Sequence, residues 1–336
     1  MKKTGKIACL LVMLLGALLG QGCDRSQSSS SSSATTPPKK NKTVAIATLM
    51  SHPALDQVSD GVKEKLKEAG YEQGKNLTLI ERNANGQTQL AATIASELSA
   101  SDADVIVAIT TPMAQAVVKN SRVPVVFAAV TDPVGAGVVK SLKTAEEKVT
   151  GTSDAWPYED QIKLIRELVP NAKRLGVLYN PGEAASKYGI ERIRELAPKN
   201  GFEVVEAPAN STGEVYGAAA AIADKVDVLF LSSDNTVIAG VAGAVKVAVD
   251  RKIPLFVGDS GTVEKGGIGA VSVGYKQLGR DTGDLTIKTL NGERNLPVVV
   301  ASGAELYLNT AAAERMGVKI PDTVLKRATK IFNTIP

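Results

Sequence analysis

Residues 103–134 read ADVIVAITTPMAQAVVKNSRVPVVFAAVTDPV, and this stretch decides the fold class. Its two apolar runs, Val105–Ile109 and Val123–Ala129, are hydrophobic at nearly every position. Such runs are typical of strands that are buried on both faces, and therefore of a parallel sheet. One short helix, Met113–Lys119, is predicted between them. The stretch thus predicts an α/β protein with parallel sheets.

Both apolar runs end in small polar residues. Thr110 and Thr111 follow the first run, and Thr131 and Asp132 follow the second. In parallel α/β sheets, ligands bind just beyond the carboxyl ends of the strands. Hydroxyl groups, a carboxylate and the free N–H groups of a helix start would meet there. The sequence therefore predicts one half of a ligand cleft at this edge.

The first 22 residues predict a secretory signal peptide. Three lysines precede an apolar run from Ile7 to Gly20, which is shorter than the roughly 20 residues that a membrane-spanning helix needs. Small residues then lead to Cys23. Because the only other cysteine, Cys9, lies inside the apolar run, the exported chain has one thiol and forms no internal disulfide.

Cys23 therefore resembles the lipid-attachment cysteine of a bacterial lipoprotein. The alternative is an ordinary cleaved signal followed by an incidental cysteine. Residues 23–42 are rich in serine and then in threonine, proline and lysine, which predicts a flexible tether between the lipid and the folded part. We expect an exported protein that is anchored to the cell membrane and faces the periplasm or the cell exterior.

The charge distribution argues against a nucleic-acid partner. The formal net charge is +4, but seven cations and one acid lie in residues 1–42, so the remainder carries −2. The folded part therefore has no basic field of the kind that nucleic-acid binding requires.

From Thr43 onward, strand patterns alternate with helical ones, and a second series of strands begins near Asp154. This arrangement predicts two similar α/β lobes. The predicted strands are Val44–Leu49, Leu77–Arg82, Val105–Ile109, Val123–Ala129, Val149–Thr152, Leu175–Tyr179, Phe202–Ala207, Val226–Leu231, Leu255–Val257 and Ala270–Val273.

The candidate ligand-binding residues are polar or aromatic side chains at the ends of predicted strands. They are His52, Thr110, Thr111, Thr131, Asp132, Asp154, Tyr179, Asn180, Ser186, Asp234, Asn235 and Asp259. An aspartate there can hold an ammonium group through a charge-assisted hydrogen bond, and Asp234 and Asp259 are the leading candidates. Each aspartate taken alone is more often a helix cap or turn residue, and the three threonines could also be helix caps. His52 could instead be a loop residue before a helix. Trp156, Tyr179 and Tyr275 are candidates for stacking on a ligand, although hinge packing explains Trp156 slightly better.

No pattern predicts an enzyme, a metal site or a cofactor. His52 is the only histidine, and the sequence contains no G-x-S-x-G, no G-x-x-x-x-G-K and no C-x-x-C. The common nucleophile–base pairs and metal-ligand sets are therefore unavailable.

Together, several segments resemble the ABC-transporter substrate-binding lipoproteins of the group linked to aromatic and related amino acids. The matching segments are HPALD (52–56), NANGQ (83–87), TTPMAQA (110–116), VTDPVGAG (130–137), VTGTSD (149–154), LYNPGEAAS (178–186), SDNTV (233–237) and VEKGGIGAVSVGYKQLGRDTG (263–283). The loop at 155–158, Ala-Trp-Pro-Tyr, is bulkier than the family pattern and would reshape the pocket.

The resemblance implies a type I periplasmic binding protein, with two Rossmann-like lobes joined by a hinge of three crossings. Lobe 1 would comprise residues 43–153 plus about 274–300, and lobe 2 residues 154–273 plus about 301–336. The family implies a monomer that binds a small amino-acid-like ligand, possibly aromatic, and delivers it to an ABC permease in the membrane. By the same analogy, Thr110, Thr111 and Thr131 would bind the ligand carboxylate. Asp234, Asn235 or Asp259 would bind its amino group.

Three alternatives remain open at this point. The protein could be a ligand-sensing receptor lipoprotein that feeds a signalling partner, a binder of a sugar or nucleoside, or a secreted enzyme. A sugar or nucleoside site would need stacking aromatic rings, and aromatic residues make up only 4% of the chain.

Overall fold

The computed structural model describes residues 41–143 and 147–336 of the 336-residue chain. The predicted signal peptide, the lipidation site at Cys23 and nearly all of the tether lie outside these ranges. The described residues all belong to one compact unit. Within the described ranges, no helix has both the length and the hydropathy that a membrane span requires.

The described chain alternates strands and helices, as the sequence predicts. The strands are β1 (Lys42–Thr48), β2 (Leu77–Asn83), β3 (Val105–Ile109), β4 (Val125–Ala128), β5 (Val149–Ser153), β6 (Arg174–Tyr179), β7 (Glu203–Pro208), β8 (Val228–Leu231), β9 (Leu255–Phe256), β10 (Gly269–Ser272), β11 (Val299–Val300), β12 (Glu305–Asn309) and β13 (Lys330–Phe332). The helices are α1 (Pro53–Glu68), α2 (Thr88–Ser99), α3 (Thr111–Asn120), α4 (Tyr158–Leu168), α5 (Ala184–Lys199), α6 (Val215–Ile222), α7 (Asn235–Ala239), α8 (Val241–Arg251), α9 (Ser260–Glu264), α10 (Tyr275–Leu290), α11 (Thr310–Arg315) and α12 (Asp322–Leu325).

The first body is built on a six-stranded parallel sheet with the order β11-β5-β4-β3-β1-β2. Its central strands β1, β3 and β4 are buried on both faces, which explains their continuous apolar runs. In β1, for example, Ala45 and Ala47 pack into one core cluster, whereas Val44 and Ile46 pack into another on the opposite face.

The second body carries a four-stranded parallel sheet with the order β7-β6-β8-β9. A smaller sheet, β10-β12-β13, continues it, because the Val257 N–H donates to the Gly269 carbonyl and the Ile268 N–H donates to the Leu255 carbonyl. The chain passes between the two bodies three times, after β5, between β10 and α10, and between β11 and β12.

The predicted fold class is confirmed, and all ten predicted strands are present with small shifts of their ends. Three short strands, β11, β12 and β13, were not predicted. The pairing of β10 with β12 is antiparallel, which the sequence pattern did not indicate. Few residues of these three strands are buried, and the buried ones form neither an alternating nor a long continuous pattern. Their pairing therefore depends on the body against which they lie.

Helices α1 and α10 pack unusually closely, because glycines lie at their crossing. A β-carbon on Gly61 would fall 2.7 Å from the carbonyl oxygen of Lys276, and one on Gly279 would fall 2.3 Å from that of Val58. Only glycine permits two helix backbones to approach this closely. The contact fixes α10, and with it Tyr275 at its first turn, against the first sheet.

Candidate functional site

The carboxyl ends of strands from both bodies face one pocket. The enclosed cavity is small, with a volume of about 40 Å³. The lining residues are Met50, His52, Ala54, Leu55, Thr110, Thr111, Ala129, Thr131, Asp154, Trp156, Ala185, Ser233, Asp234, Asn235, Ile238, Asp259 and Tyr275. Eight of the twelve predicted ligand-binding residues are among them. The tips that carry Thr111 and Asp259 thus face the same space, as the two-lobed arrangement requires.

Two residues of this lining have a strained backbone. Thr110 has φ +88° and Ala129 has φ +52°, at the ends of β3 and β4 respectively. Residues with a β-carbon rarely adopt positive φ, and such strain concentrates at functional sites. The Thr110 side chain is 2% exposed, and its hydroxyl has no hydrogen-bond partner among the described residues. A buried hydroxyl without a partner is costly, so a ligand that bonds to it would gain affinity.

The start of α3 offers further donors at the same place. Thr110 is the N-cap residue, but its side chain makes no capping hydrogen bond to the helix. The first-turn N–H groups of a helix have no partner within the helix, and the helix dipole makes this end electropositive. This edge of the pocket therefore suits a carboxylate.

Asp154 lies at the centre of a buried hydrogen-bond network. Its Oδ1 accepts from the Thr131 hydroxyl at 3.2 Å, and its Oδ2 accepts from the Tyr275 hydroxyl at 2.9 Å. The Tyr275 oxygen accepts in turn from Nε1 of Trp156 at 3.0 Å. Burial raises the pKa of Asp154, because these donors only partly replace the lost water. Asp154 is therefore a desolvated carboxylate suited to a cationic ligand group.

The same network joins the two bodies. The Thr131 hydroxyl, on the loop after β4, lies 3.0 Å from the Ser233 hydroxyl, which follows β8. Thr131 is thus bonded both to Asp154 and across the cleft. We infer that any ligand bound at Asp154 contacts residues of both bodies.

Trp156 forms one wall of the pocket. A β-carbon on Gly258 would fall 1.6 Å from Cζ3 of Trp156, so the indole lies directly on the Gly258 backbone. Its side chain is buried, and its nitrogen bonds to Tyr275. The bulky loop that the sequence singled out therefore shapes the ligand pocket through Trp156.

Asp234 is firmly held by its own body. Its Oδ1 accepts from the Val237 N–H at 2.8 Å, and its Oδ2 accepts from the Ser186 hydroxyl at 2.7 Å and from the Asn180 N–H. Burial, followed by the negative charge of Glu183, raises the pKa of Asp234 to about 7. Asp234 lines the pocket, whereas Asn180 and Ser186 support its carboxylate from behind.

Asp259 and His52 meet across the cleft. Asp259 caps α9 by accepting from the Thr262 N–H at 2.9 Å, and its Oδ1 lies 3.6 Å from Nε2 of His52. The His52 Nδ1 accepts from the Ala54 N–H at 3.3 Å, and its Nε2 lies 3.3 Å from the Thr262 hydroxyl. His52 therefore both starts α1 and contacts the opposite body.

Four predicted residues do not line the pocket. Asp132 turns its carboxylate to the Gly135 N–H at 3.0 Å, and Tyr179 donates to Glu206 at 2.7 Å. Asn180 and Ser186 hold Asp234, as described above. Seven lining residues were not named as candidates of any kind: Met50, Ala54, Leu55, Ala129, Ala185, Ser233 and Ile238. Ser233 is the one that the polar cluster after β8 would have indicated, whereas the others are apolar and carry no distinctive signal.

The sequence and structure match those of known binding proteins. The profile of the ABC transporter substrate binding protein family matches residues 43–332. A tyrosine-binding protein of Clostridioides difficile (strain R20291) is 34% identical over 315 residues, which are 92% of this chain and 91% of that protein.

Two solved structures at the same level of identity differ in how well they superpose. An ABC domain from Streptococcus pneumoniae in complex with L-Trp is 33% identical, with a TM-score of 0.84 over 87% of this chain and 100% of that one. A ligand-free, open substrate-binding protein with adhesive properties from Clostridium difficile is also 33% identical over the same shares, with a TM-score of 0.67. The present structure thus has the shape of the ligand-bound relative more than that of the open one.

Proposed function

This chain belongs to the ABC transporter substrate binding protein family, and from that premise we propose that its pocket binds a free aromatic α-amino acid for import. The observation that carries the proposal is the bipolar lining of the pocket. The desolvated Asp154 carboxylate lies on one side, and the uncapped start of α3 with its unpartnered Thr110 hydroxyl lies on another. A zwitterion presents one group of each sign to such a site.

The ammonium group of the ligand is assigned to Asp154. Within the described part of the chain, three aspartates but no lysine or arginine line the pocket, so a ligand cation has no competing partner there. Asp234 already accepts three hydrogen bonds from its own body, and Asp259 is engaged with Thr262 and His52. Asp154 has spare acceptor capacity, since an ionised carboxylate offers about four lone-pair sites.

The ligand carboxylate is assigned to Thr110 and Thr111 at the start of α3. The Thr110 hydroxyl would gain the partner that it lacks, and the first-turn N–H groups would supply further donors. Binding of the ligand carboxylate needs no lysine or arginine side chain, because the helix start is itself electropositive.

The side chain of the ligand would lie against the apolar part of the lining, which includes Leu55, Trp156 and Ile238. The tyrosine-binding relative and the relative solved with L-Trp both favour an aromatic side chain. Offset or edge-on contact with the Trp156 indole would add to the free energy of binding.

We further propose that the two bodies act as lobes that close on the ligand, with the predicted limits 43–153 plus about 274–300 and 154–273 plus about 301–336. Closure is favoured because the ligand contacts both lobes only in the closed form. The closed, monomeric protein would then dock on an ABC permease, held near the membrane by a lipid on Cys23. It would release the ligand unchanged rather than act as an enzyme.

Calorimetric titration with L-tyrosine, L-phenylalanine and L-tryptophan tests this function. We expect at least one of them to bind, and we expect tyramine and 3-(4-hydroxyphenyl)propionate to bind at least tenfold more weakly than L-tyrosine. Each analogue lacks one charged group, and a charge-assisted hydrogen bond contributes about 1.5–3 kcal/mol. If none of the three amino acids binds, the proposal is wrong. An amino acid that does bind should be recovered chemically intact after the titration.

Gly261→Val is expected to prevent closure. Gly261 lies on α9 at the contact between the bodies, where a β-carbon would fall 2.9 Å from Cβ of Pro53 and 3.1 Å from Cε1 of His52. The valine side chain would act as a wedge in the closed form only. Small-angle scattering with saturating amino acid should show that the variant keeps the larger radius of gyration of the unliganded state, with affinity reduced at least tenfold. Compaction equal to that of the wild type would contradict this mechanism of closure.

A further inference from the structure

A second carboxylate, Glu183, lies behind the pocket lining and is not part of the recognition described so far. Its Oε2 accepts from the Asn235 N–H at 3.1 Å and from the Asn235 Nδ2 at 2.9 Å. Its Oε1 accepts from the Thr236 N–H at 2.9 Å and from the Thr236 hydroxyl at 2.6 Å. Four donors from one short segment thus converge on one side chain 52 residues away in the sequence.

These bonds tie the start of α5 to the start of α7 in both directions. Glu183, the N-cap residue of α5, caps the first turn of α7. Asp234, the N-cap residue of α7, accepts in return from Ser186 in the first turn of α5. The two helix starts are therefore fixed relative to each other by two carboxylates rather than by apolar packing alone.

The bond to Nδ2 also sets the orientation of the Asn235 amide. Because the nitrogen end of the amide donates to Glu183, the oxygen end points away from Glu183. Asn235 lines the pocket, and it also lines a larger, solvent-open cavity on the far side, which Glu183 borders as well. Without Glu183 the amide could present either end, since its oxygen and nitrogen have the same shape.

We propose that Glu183 is a positioning residue for the ligand site, which orients Asn235 so that its amide oxygen accepts a hydrogen bond from the ammonium group of the ligand. This inference rests on the proposed amino-acid function and adds a second acceptor beside Asp154. Glu183 itself does not line the ligand pocket and acts only through Asn235. Its negative charge also raises the proton affinity of Asp234, in agreement with a tight cluster at this position.

Glu183→Gln tests the proposal with L-tyrosine as the probe. All four contacts of Glu183 are donors, so a glutamine must turn its NH₂ group against either Asn235 or Thr236. We expect the affinity for L-tyrosine to fall at least fivefold. Glu206→Gln is the matched control: this carboxylate in the same body pairs with Arg194 and Tyr179 away from the pocket, and its loss should leave the affinity unchanged.

Rescue separates positioning from a merely structural role. In the double variant Glu183→Gln/Asn235→Asp, the glutamine NH₂ donates to the new carboxylate, which again presents an oxygen to the pocket, although the backbone N–H of residue 235 loses its acceptor. We expect the double variant to bind L-tyrosine more tightly than Glu183→Gln does, whereas Asn235→Asp alone should weaken binding because two carboxylates then face each other. Asn235→Ala, which leaves the bonds of Glu183 to the backbone intact, should reduce affinity as much as Glu183→Gln does.

The possible results are distinguishable. If the wild type binds none of the aromatic amino acids, the proposed function fails. If the wild type binds L-tyrosine and Glu183→Gln or Asn235→Ala binds it equally well, the function stands and the positioning role is wrong. Additive losses in the double variant would also overturn the positioning role.

Discussion

Asp154→Asn is expected to weaken binding of an aromatic amino acid by roughly ten- to a hundredfold, the cost of losing a charge-assisted hydrogen bond of about 1.5–3 kcal/mol. Asparagine has the shape of aspartate and still accepts from the Tyr275 hydroxyl, so the pocket should keep its form. Thr131 can accept from the new NH₂ group and donate to Ser233, which lies 3.0 Å away. Calorimetric titration with L-tyrosine measures the loss.

The same substitution should not destabilise the unliganded protein. Burial raises the pKa of Asp154 in the folded state above its value in the unfolded chain. Its contribution to stability is therefore fully present below the unfolded pKa of about 3.9 and is lost as the pH rises through the folded pKa. At pH 8, well above the unfolded pKa, Asp154 opposes folding in either protonation state, because folding must bury the charge or take up a proton, whereas the neutral asparagine requires neither. We expect the variant to melt at or above the wild-type temperature at pH 8, but to lose most of the thermal shift that the amino acid induces.

Asp132→Asn is the matched control for this prediction. Asp132 also follows a strand of the first sheet, but its carboxylate accepts from the Gly135 N–H and lies outside the pocket lining. The affinity of the Asp132→Asn variant for L-tyrosine should equal that of the wild type. If Asp154→Asn binds L-tyrosine with wild-type affinity, the ammonium group is held elsewhere, and Asp259 becomes the next candidate.

Gly279→Val is expected to destabilise the protein by about 3 kcal/mol or more, at the upper end of the cost of overpacking a core. A β-carbon at this position would fall 2.3 Å from the Val58 carbonyl oxygen, and the backbone of α1 cannot rotate away as a side chain can. Helices α1 and α10 would have to separate, which displaces Tyr275 from Asp154 as well. Thermal and urea-induced unfolding should report the loss of stability.

Gly217→Ala is expected to have the opposite effect on stability, because the space around Gly217 is open. Gly217 lies inside α6, and no atom lies within 4 Å of the position that its β-carbon would take. Alanine should stabilise the protein by about 0.5–1 kcal/mol, because it restricts the unfolded chain and favours the helix. If both substitutions have similar effects, the close approach of α1 and α10 is not important for stability.

Eight of the twelve predicted site residues line one pocket, and their role in ligand binding stays a prediction. His52, Thr110, Thr111, Thr131, Asp154, Asp234, Asn235 and Asp259 all line the pocket, because each follows a strand whose carboxyl end faces it. The sequence favoured Asp234 and Asp259 for the ligand amino group, and both act as helix caps in the structure, whereas Asp154 caps no helix and accepts hydrogen bonds from Thr131 and Tyr275. The roles themselves remain proposals until the variants above are measured.

The amino-acid sequence by itself determined the α/β alternation, the ten main strands and the strand ends at which a ligand would bind. Each of these follows from local patterns, since burial on both faces requires continuous apolar runs and a strand end requires polar or turn-forming residues. The tertiary structure alone decided which side chains meet: Trp156 with Gly258 and Tyr275, Thr131 with Asp154 and Ser233, and Glu183 with Asn235. These partners lie far apart in the chain. Their burial and their hydrogen bonds therefore depend on how the two bodies pack, and not on the residues beside them in the sequence.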